Sequence, residues 1–241
     1  MDDFIARAMQ QLAFSPPGWG GNMLRGLANT LQIALGAYAL GLSIGLAGAL
    51  GKIHGGPVMR WSLEVYTTLI RAVPELVLIL LLYYAGTDLL NRTLELMGFE
   101  PVDISGLVAG IAVIGVVQGA YSTEVLRGAL LAVPRGQVEA AQAYGMSYPL
   151  LLRRILLPAM FPLALPGLAN LWLIVTKDTA LLAVVGFSEL TLQTRQAAGS
   201  TKSYFMFYSA AALLYLSITL LSNQVFRRLE AYYRRGRAAS V

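Results

Sequence analysis

From Leu27 to Leu50 the chain carries no charged side chain. As a helix this run rises about 36 Å, enough to cross the roughly 30 Å hydrocarbon core of a bilayer. Four further apolar runs follow: Trp61–Gly86, interrupted by Glu64, Arg71 and Glu75; Leu107–Leu131, with Glu124 and Arg127 near its end; Ala159–Thr176, ending at Lys177 and Asp178; and Phe205–Phe226. Only 13% of the residues are charged and the mean hydropathy is +0.61. A soluble domain usually has about a quarter of its residues charged, so lipid is the expected solvent for most of this surface. The expectation is an all-α membrane protein with about five transmembrane helices, at 27–50, 61–86, 107–131, 159–176 and 205–226, within a membrane domain covering 27–226. Thr179–Phe187 is apolar but too short to span and reads as re-entrant or interfacial. Gly41 and Gly45, Gly106 and Gly110, and Gly115 and Gly119 stand four apart within these runs. Such pairs let helix backbones approach closely, so a tight bundle is expected.

Several chemistries are excluded or left without residues. The chain has no cysteine, so disulfides and thiolate metal sites are ruled out. Its one histidine, His54, lies in the turn-like IHGGP, reads as a loop residue and lacks partners for a metal site. Gly51-Lys52 is not a phosphate-binding loop, because the glycine five positions earlier and the following Ser or Thr are missing. No cofactor is expected on this chain, and no nucleophile–base pair suggests a membrane enzyme. Residues 1–26 start with Asp2 and Asp3 and contain no apolar stretch of signal-peptide type, so the first span is expected to serve as its own insertion signal. The tail at 227–241, with FRRLEAYYRRGR, reads as an anchor at an anionic leaflet and not as a nucleic-acid patch.

Loop cations orient the chain. The 51–60 turn, the 127–154 segment and the tail hold Lys52, Arg60, Arg127, Arg135, Arg153, Arg154, Arg227, Arg228, Arg234, Arg235 and Arg237. The opposite side holds Arg7, Arg25, Arg92, Arg195 and Lys202, while Arg71 and Lys177 lie in or beside spans. Eleven against five puts the N-terminus outside and the C-terminus in the cytoplasm. The 87–106 loop, with Asp88, Glu95, Glu100 and Asp103, then faces outward.

On the cytoplasmic side, residues 134–158 predict two short helices. Good helix formers run from Gln137 to Tyr144, and Gly145 suits a left-handed stop. Ser147 can cap a second helix, Pro149 fits its first turn, and Pro158 marks entry into the fourth span. On residue pattern alone this is either an amphipathic hairpin lying on lipid or a knob that docks into a cytoplasmic partner. The order Glu139-Ala140-Ala141, Gly145, Ile155-Leu156-Leu157-Pro158 resembles the EAA loop of permease subunits of bacterial ABC importers. VYTTLIRAVPELVLILL, DISGLVAGIAVIGVVQGAYSTEVLRGALLAVPRGQVEAA and ALPGLANLWLIVTKDTALLAVVGFSEL are similar to segments of the polar amino-acid permeases of the histidine, arginine and opine type. The similarity is expected to run from about residue 27 to the end, with no reliable counterpart expected for the first two dozen residues.

The resemblance implies a MetI-like permease bundle in the bacterial inner membrane. It also implies a second homologous permease subunit, two cytoplasmic ATPase subunits that use ATP and Mg, and a periplasmic amino-acid-binding protein. Glu139, Ala140, Ala141, Gly145, Arg153 and Pro158 would form the ATPase-coupling element. The rival class is an ion-coupled secondary transporter, for which the chain shows no internal repeat.

Ionisable groups inside spans are costly and mark candidate function. Arg71, Glu75, Gln118, Tyr121, Glu124 and Asn170 are the candidates for a substrate path. Two ion pairs could account for the charges without any such role: Arg71 with Glu75 four residues on, and Glu124 with Arg127 three residues on. Related permeases resemble RGTPLLVQ where this chain has RAVPELVL, and the acid at Glu75 suits a cationic cargo: histidine, arginine, lysine, ornithine or a basic opine. In a straight helix Glu75 would lie about 21 Å from Trp61, in the outer half of the membrane. Thr176, Lys177, Asp178 and Thr179 form a second polar cluster, expected near the outer face, which the resemblance makes a periplasmic gate; an ordinary capped loop is the alternative. The threading has a direct test in this cysteine-free chain. Glu100→Cys should react with an impermeant maleimide from outside the cell, whereas Gly136→Cys and Arg235→Cys should not; the reverse pattern overturns the cation count.

Overall fold

The computed structural model describes residues 9–101 and 104–234, and the described residues are helical almost throughout. The helices are α1 Gly20–His54, α2 Pro57–Ala72, α3 Glu75–Leu96, α4 Gly106–Leu131, α5 Arg135–Ala143, α6 Tyr148–Leu151, α7 Leu157–Asp178, α8 Leu190–Thr201 and α9 Tyr204–Arg234. A π-helical turn, Leu152–Leu156, joins α6 to α7, and a 3₁₀ stretch, Thr179–Val185, continues α7. Four stretches are long and apolar enough to cross a membrane, or five if the bent pair α2–α3 counts as one span.

The scaffold is α1 lying parallel to α4, seated by glycine. A β-carbon on Gly45 would stand 2.4 Å from Ser122 Cβ, and one on Gly41 would stand 2.7 Å from Gln118 Cγ. The backbones are therefore closer than any side chain at these positions would permit, as the glycine spacing predicts. Helix α7 runs antiparallel to α4, with Gly167 against Val125. Ala49, Leu126, Ala129, Leu130, Val133, Met160 and Ala164 lock the three helices together at the end that carries α5, here the loop end. Helix α9 runs antiparallel to α7: Trp172 Nε1 donates to Ser222 Oγ at 2.8 Å, and the Phe161 and Tyr233 rings lie 5.0 Å apart. Its exposed Leu213, Leu220, Leu221 and Val225 leave an apolar face for lipid.

Four features depart from the sequence expectation. The run 61–86 is not one straight helix: α2 and α3 meet at 117°. Pro74 lacks an N–H and drives the preceding Val73 into extended backbone, at φ −97°, ψ 139°, which ends α2. The depth assigned to Glu75 from a straight helix therefore does not apply. His54 is the last residue of α1 and not part of the loop, and α3 and α9 continue past residues 86 and 226. The second helix of the 134–158 element is continuous with α7. Pro158 cannot donate to Arg154, and the chain takes up the defect as a π turn in which Leu157 N–H reaches Leu152 O. Finally, the 176–179 cluster is not at the end of the bundle. The pairing of Trp172 with Ser222 sets Asp178 level with residue 216, and the Tyr215 hydroxyl reaches Thr179, about midway along α9.

Beyond Gly186, whose φ of 88° turns the chain, Glu189 is wholly buried and caps α8. It accepts from Leu192 N–H at 2.7 Å, Thr191 N–H at 2.8 Å, the Tyr215 hydroxyl at 3.2 Å and the Thr30 hydroxyl at 3.4 Å. Thr30 Oγ1 in turn accepts from Leu190 N–H at 3.2 Å. One carboxylate thus ties α1, α8 and α9 where the gate segment returns. Burial raises the Glu189 carboxyl above the ordinary 4.5, and the N–H and hydroxyl donors oppose the rise.

Two measurements follow from this packing. Gly45→Val should destabilise the chain by about 3 kcal/mol or more, because overpacking usually costs 1–3 kcal/mol and here Ser122 backbone also blocks relief. Gly128→Ala, with open space at its β-carbon, should be near neutral in the same detergent melting assay. For Glu189 the folded carboxyl binds its proton more tightly than the unfolded one, so its contribution to stability is greatest below pH 4.5 and declines as pH rises through the folded value. Glu189→Gln keeps an acceptor and removes the titration. Melting from pH 4.5 to 7 should show the wild type losing stability relative to this variant as pH rises.

Candidate functional site

The α2–α3 break and the α7–3₁₀ junction bring polar side chains together inside the bundle. Glu75 opens α3, and its Oε1 accepts from the Tyr121 hydroxyl of α4 at 3.3 Å. The carboxyl of Asp178, the last residue of α7, lies against that of Glu75. The sequence reading had put Glu75 and Tyr121 on one path and Asp178 in a separate gate; the structure makes them one cluster. Arg71 is not the partner of Glu75. The break removes the helical spacing between them, and Arg71 Nε turns back to Thr67 O at 3.1 Å. Two carboxylates in contact repel each other, and a proton or a cation between them relieves that cost.

The remaining path candidates lie elsewhere. Gln118 is buried against Gly41 in the α1–α4 seam, and its Nε2 has no hydrogen-bond partner among the described residues. Asn170 is exposed on α7. In the gate, the Thr176 hydroxyl donates to Trp172 O at 2.9 Å and the Thr179 hydroxyl to Thr176 O at 2.8 Å. Both hydroxyls bond their own backbone, that of Thr179 also meeting Tyr215, while Lys177 is exposed.

Glu124 belongs to a different group. Arg127 pairs with it at 3.0 Å, as the spacing suggested, but Lys52 approaches closer, at 2.6 Å. Lys52 also reaches Glu64 Oε2 at 2.6 Å and Thr67 Oγ1 at 2.7 Å, and its side chain is only 5% exposed. The sequence reading missed this and left Lys52 as a loop cation. Opposite charges at the same end of three neighbouring runs were the signal for it.

At the loop end, α5 finishes in the predicted left-handed stop. Gly145 has φ +71°, its N–H bonds Gln142 O at 2.9 Å, and Met146 N–H bonds Ala141 O at 3.1 Å. This is the paired bonding of a Schellman motif. Ala141 is buried, whereas Glu139, Ala140, Arg153 and Pro158 are exposed. Ser147 caps α6 with its carbonyl, which accepts from Leu151 N–H at 2.9 Å, and not with its hydroxyl. His54 leans on this element, its ring 4.6 Å from that of Tyr148. Among the described residues no three His, Cys, Asp or Glu converge as a metal site would require.

Residues 37–235 match the family described as binding-protein-dependent transport system inner membrane component. The chain is 42% identical over 228 residues to the octopine transport system permease protein OccQ of Rhizobium radiobacter, covering 94% of this chain and 96% of that one. It is also 42% identical over 219 residues to the histidine/lysine/arginine/ornithine transport system permease protein HisQ of Escherichia coli (strain K12), covering 91% and 96%. A solved structure of an amino acid ABC transporter with histidines superposes with a TM-score of 0.74 at 28% identity, over 89% of this chain and 95% of that chain.

Proposed function

The chain belongs to the family of binding-protein-dependent transport system inner membrane components and is a multi-pass permease subunit of an ABC importer; from that premise we propose that its cargo is a positively charged amino acid or opine. The observation that carries this is the contact of Glu75 and Asp178 beside the Tyr121 hydroxyl, where two spans break midway. An ammonium, imidazolium or guanidinium entering there replaces repulsion with charge-assisted hydrogen bonds, each contributing about 1.5–3 kcal/mol. The names of the relatives, which include octopine, histidine, lysine, arginine and ornithine transport, support the same chemistry.

The subunit composition follows the same reading. A second, homologous permease subunit completes the pathway across a pseudo-two-fold axis. A periplasmic binding protein delivers cargo to the end bearing α8, and two cytoplasmic ATPase subunits, using ATP and Mg, dock on 135–158 around exposed Glu139. The N-terminus is periplasmic and the C-terminus cytoplasmic, as the eleven-to-five cation count supports. The helix, left-handed stop and second helix fused to α7 suit a knob that moves as one piece with the bundle, which favours docking over a lipid-lying hairpin.

Glu75→Gln tests the cargo. It keeps the shape and the hydrogen bond from Tyr121 but deletes the charge. In proteoliposomes holding the whole transporter, the KM for arginine or lysine delivered by the binding protein should rise about tenfold, a loss of about 1.4 kcal/mol, with co-purification of the ATPases unchanged. Parental rate and affinity would refute the cationic-cargo reading.

A further inference from the structure

Helix α2 is held to the scaffold by little. Only Thr67 and Ile70 of its residues are buried, and Tyr66 adds one hydrogen bond from its hydroxyl to Val116 O. Ile70 packs on Val117 and Ala120 of α4, and Arg60 Nη2 donates to Ile53 O of α1 at 2.9 Å; the charged attachment is Lys52, in the last turn of α1. Its ammonium has three donors and uses them on Glu64 and Thr67 of α2 and Glu124 of α4, at 2.6, 2.7 and 2.6 Å. Eight residues beyond Thr67, α2 has ended and Glu75 begins α3. On the other side, nine residues after Glu124, Val133 is locked into the core shared by α1, α4 and α7, and α5 starts at Arg135. The tie therefore stands between the loop element and the half-span that carries Glu75.

The geometry points to Lys52 as a positioning residue: it passes displacement of the α4–α5 end to α2, and so couples the loop to the Glu75 cluster. The inference rests on the reading of 135–158 as the ATPase-coupling element. The bonding pattern separates this role from simple stabilisation, because each carboxylate keeps a partner when Lys52 is removed. Glu124 retains Arg127 at 3.0 Å, and Glu64, 65% exposed, is solvated. Thr67 Oγ1 retains Glu64 O at 3.3 Å. A neutral side chain of similar length at position 52 leaves no buried unpaired charge, the usual source of severe destabilisation. What it removes is the charged cross-link that joins α2 to α1 and α4 together.

The test uses the complete transporter in proteoliposomes with its binding protein and Mg-ATP, measuring substrate moved per ATP hydrolysed. Lys52→Met should reach the membrane, keep its ATPase subunits through purification and keep basal ATPase within about twofold. Transport per ATP should fall about tenfold, a loss of about 1.4 kcal/mol of coupling. Glu64→Gln, which weakens the tie on the α2 side at an exposed position and leaves the bond from Lys52 to Thr67, should lower the same ratio by about threefold while leaving thermal stability unchanged. A purely structural lysine predicts instead that transport and ATPase fall together with the amount of folded complex. Parental transport per ATP in Lys52→Met overturns the inference, whatever the total activity. Glu139→Ala distinguishes the two readings. Normal transport there alongside an uncoupled Lys52→Met faults the loop assignment and leaves the tie standing; loss of the ATPases there alongside a parental ratio in Lys52→Met removes the tie and leaves the loop.

Discussion

The glycines that let α1 and α4 approach closely are the constraint on which the rest of this structure depends. In lipid no hydrophobic force drives helices together, so association relies on close packing and on internally satisfied polar groups. Gly41 and Gly45 let α1 settle onto Gln118 and Ser122, and the resulting pair is the slab against which α7 and α2 are placed. Several polar residues on that slab find partners: Tyr38 gives its hydroxyl to Leu168 O of α7 at 2.9 Å, and Lys52 gathers its acceptors at the loop end.

Against this rigid pair stand two interruptions with different causes. Proline ends α2 at residue 73, and α7 tightens into 3₁₀ geometry after Asp178. Each leaves backbone groups without helical partners, which a bilayer permits only where protein or a wet cavity receives them. The two interruptions meet at Glu75 and Asp178. The 3₁₀ segment is held at its far end by Glu189 and Thr30, while its near end carries the exposed Lys177. One end is thus pinned to the scaffold, and the other borders the place where a cargo would pass.

Much of this was legible in the residues. Charge-free length gave the spans, and the four-residue glycine spacing anticipated the seam. Gly145 was read correctly as a left-handed stop, because a helix ending in Tyr-Gly has few other solutions. Local rules failed where the outcome depended on a neighbour. Pro74 was visible, but its effect ranges from a mild kink to a full turn, and here packing of α3 against α4 selects the turn. Lys52 looked like a loop cation because its acceptors lie twelve and seventy-two residues away. Arg71 and Glu75 looked like a pair because i, i+4 spacing was counted across a helix end. Glu189 drew no notice, although an acid just before TLQTRQAAG is a recognisable N-cap. Membership of the permease family came from the similarity and not from the geometry.

The two charged groups also differ in how membrane voltage acts on them. Lys52, Arg127, Glu64 and Glu124 sum to zero, so a uniform field across the bilayer exerts no net force on the tie as a whole. Glu75 and Asp178 have no ion-pair partner among the described residues. A field of 100 mV does about 2.3 kcal/mol of work on each unit charge that crosses it fully, and a voltage negative inside pulls a cation inward while pushing fixed carboxylates outward. On the cationic-cargo proposal, one monovalent cargo between these two acids would leave a single net negative charge there, and the same field would pull the cargo inward while holding the acids back.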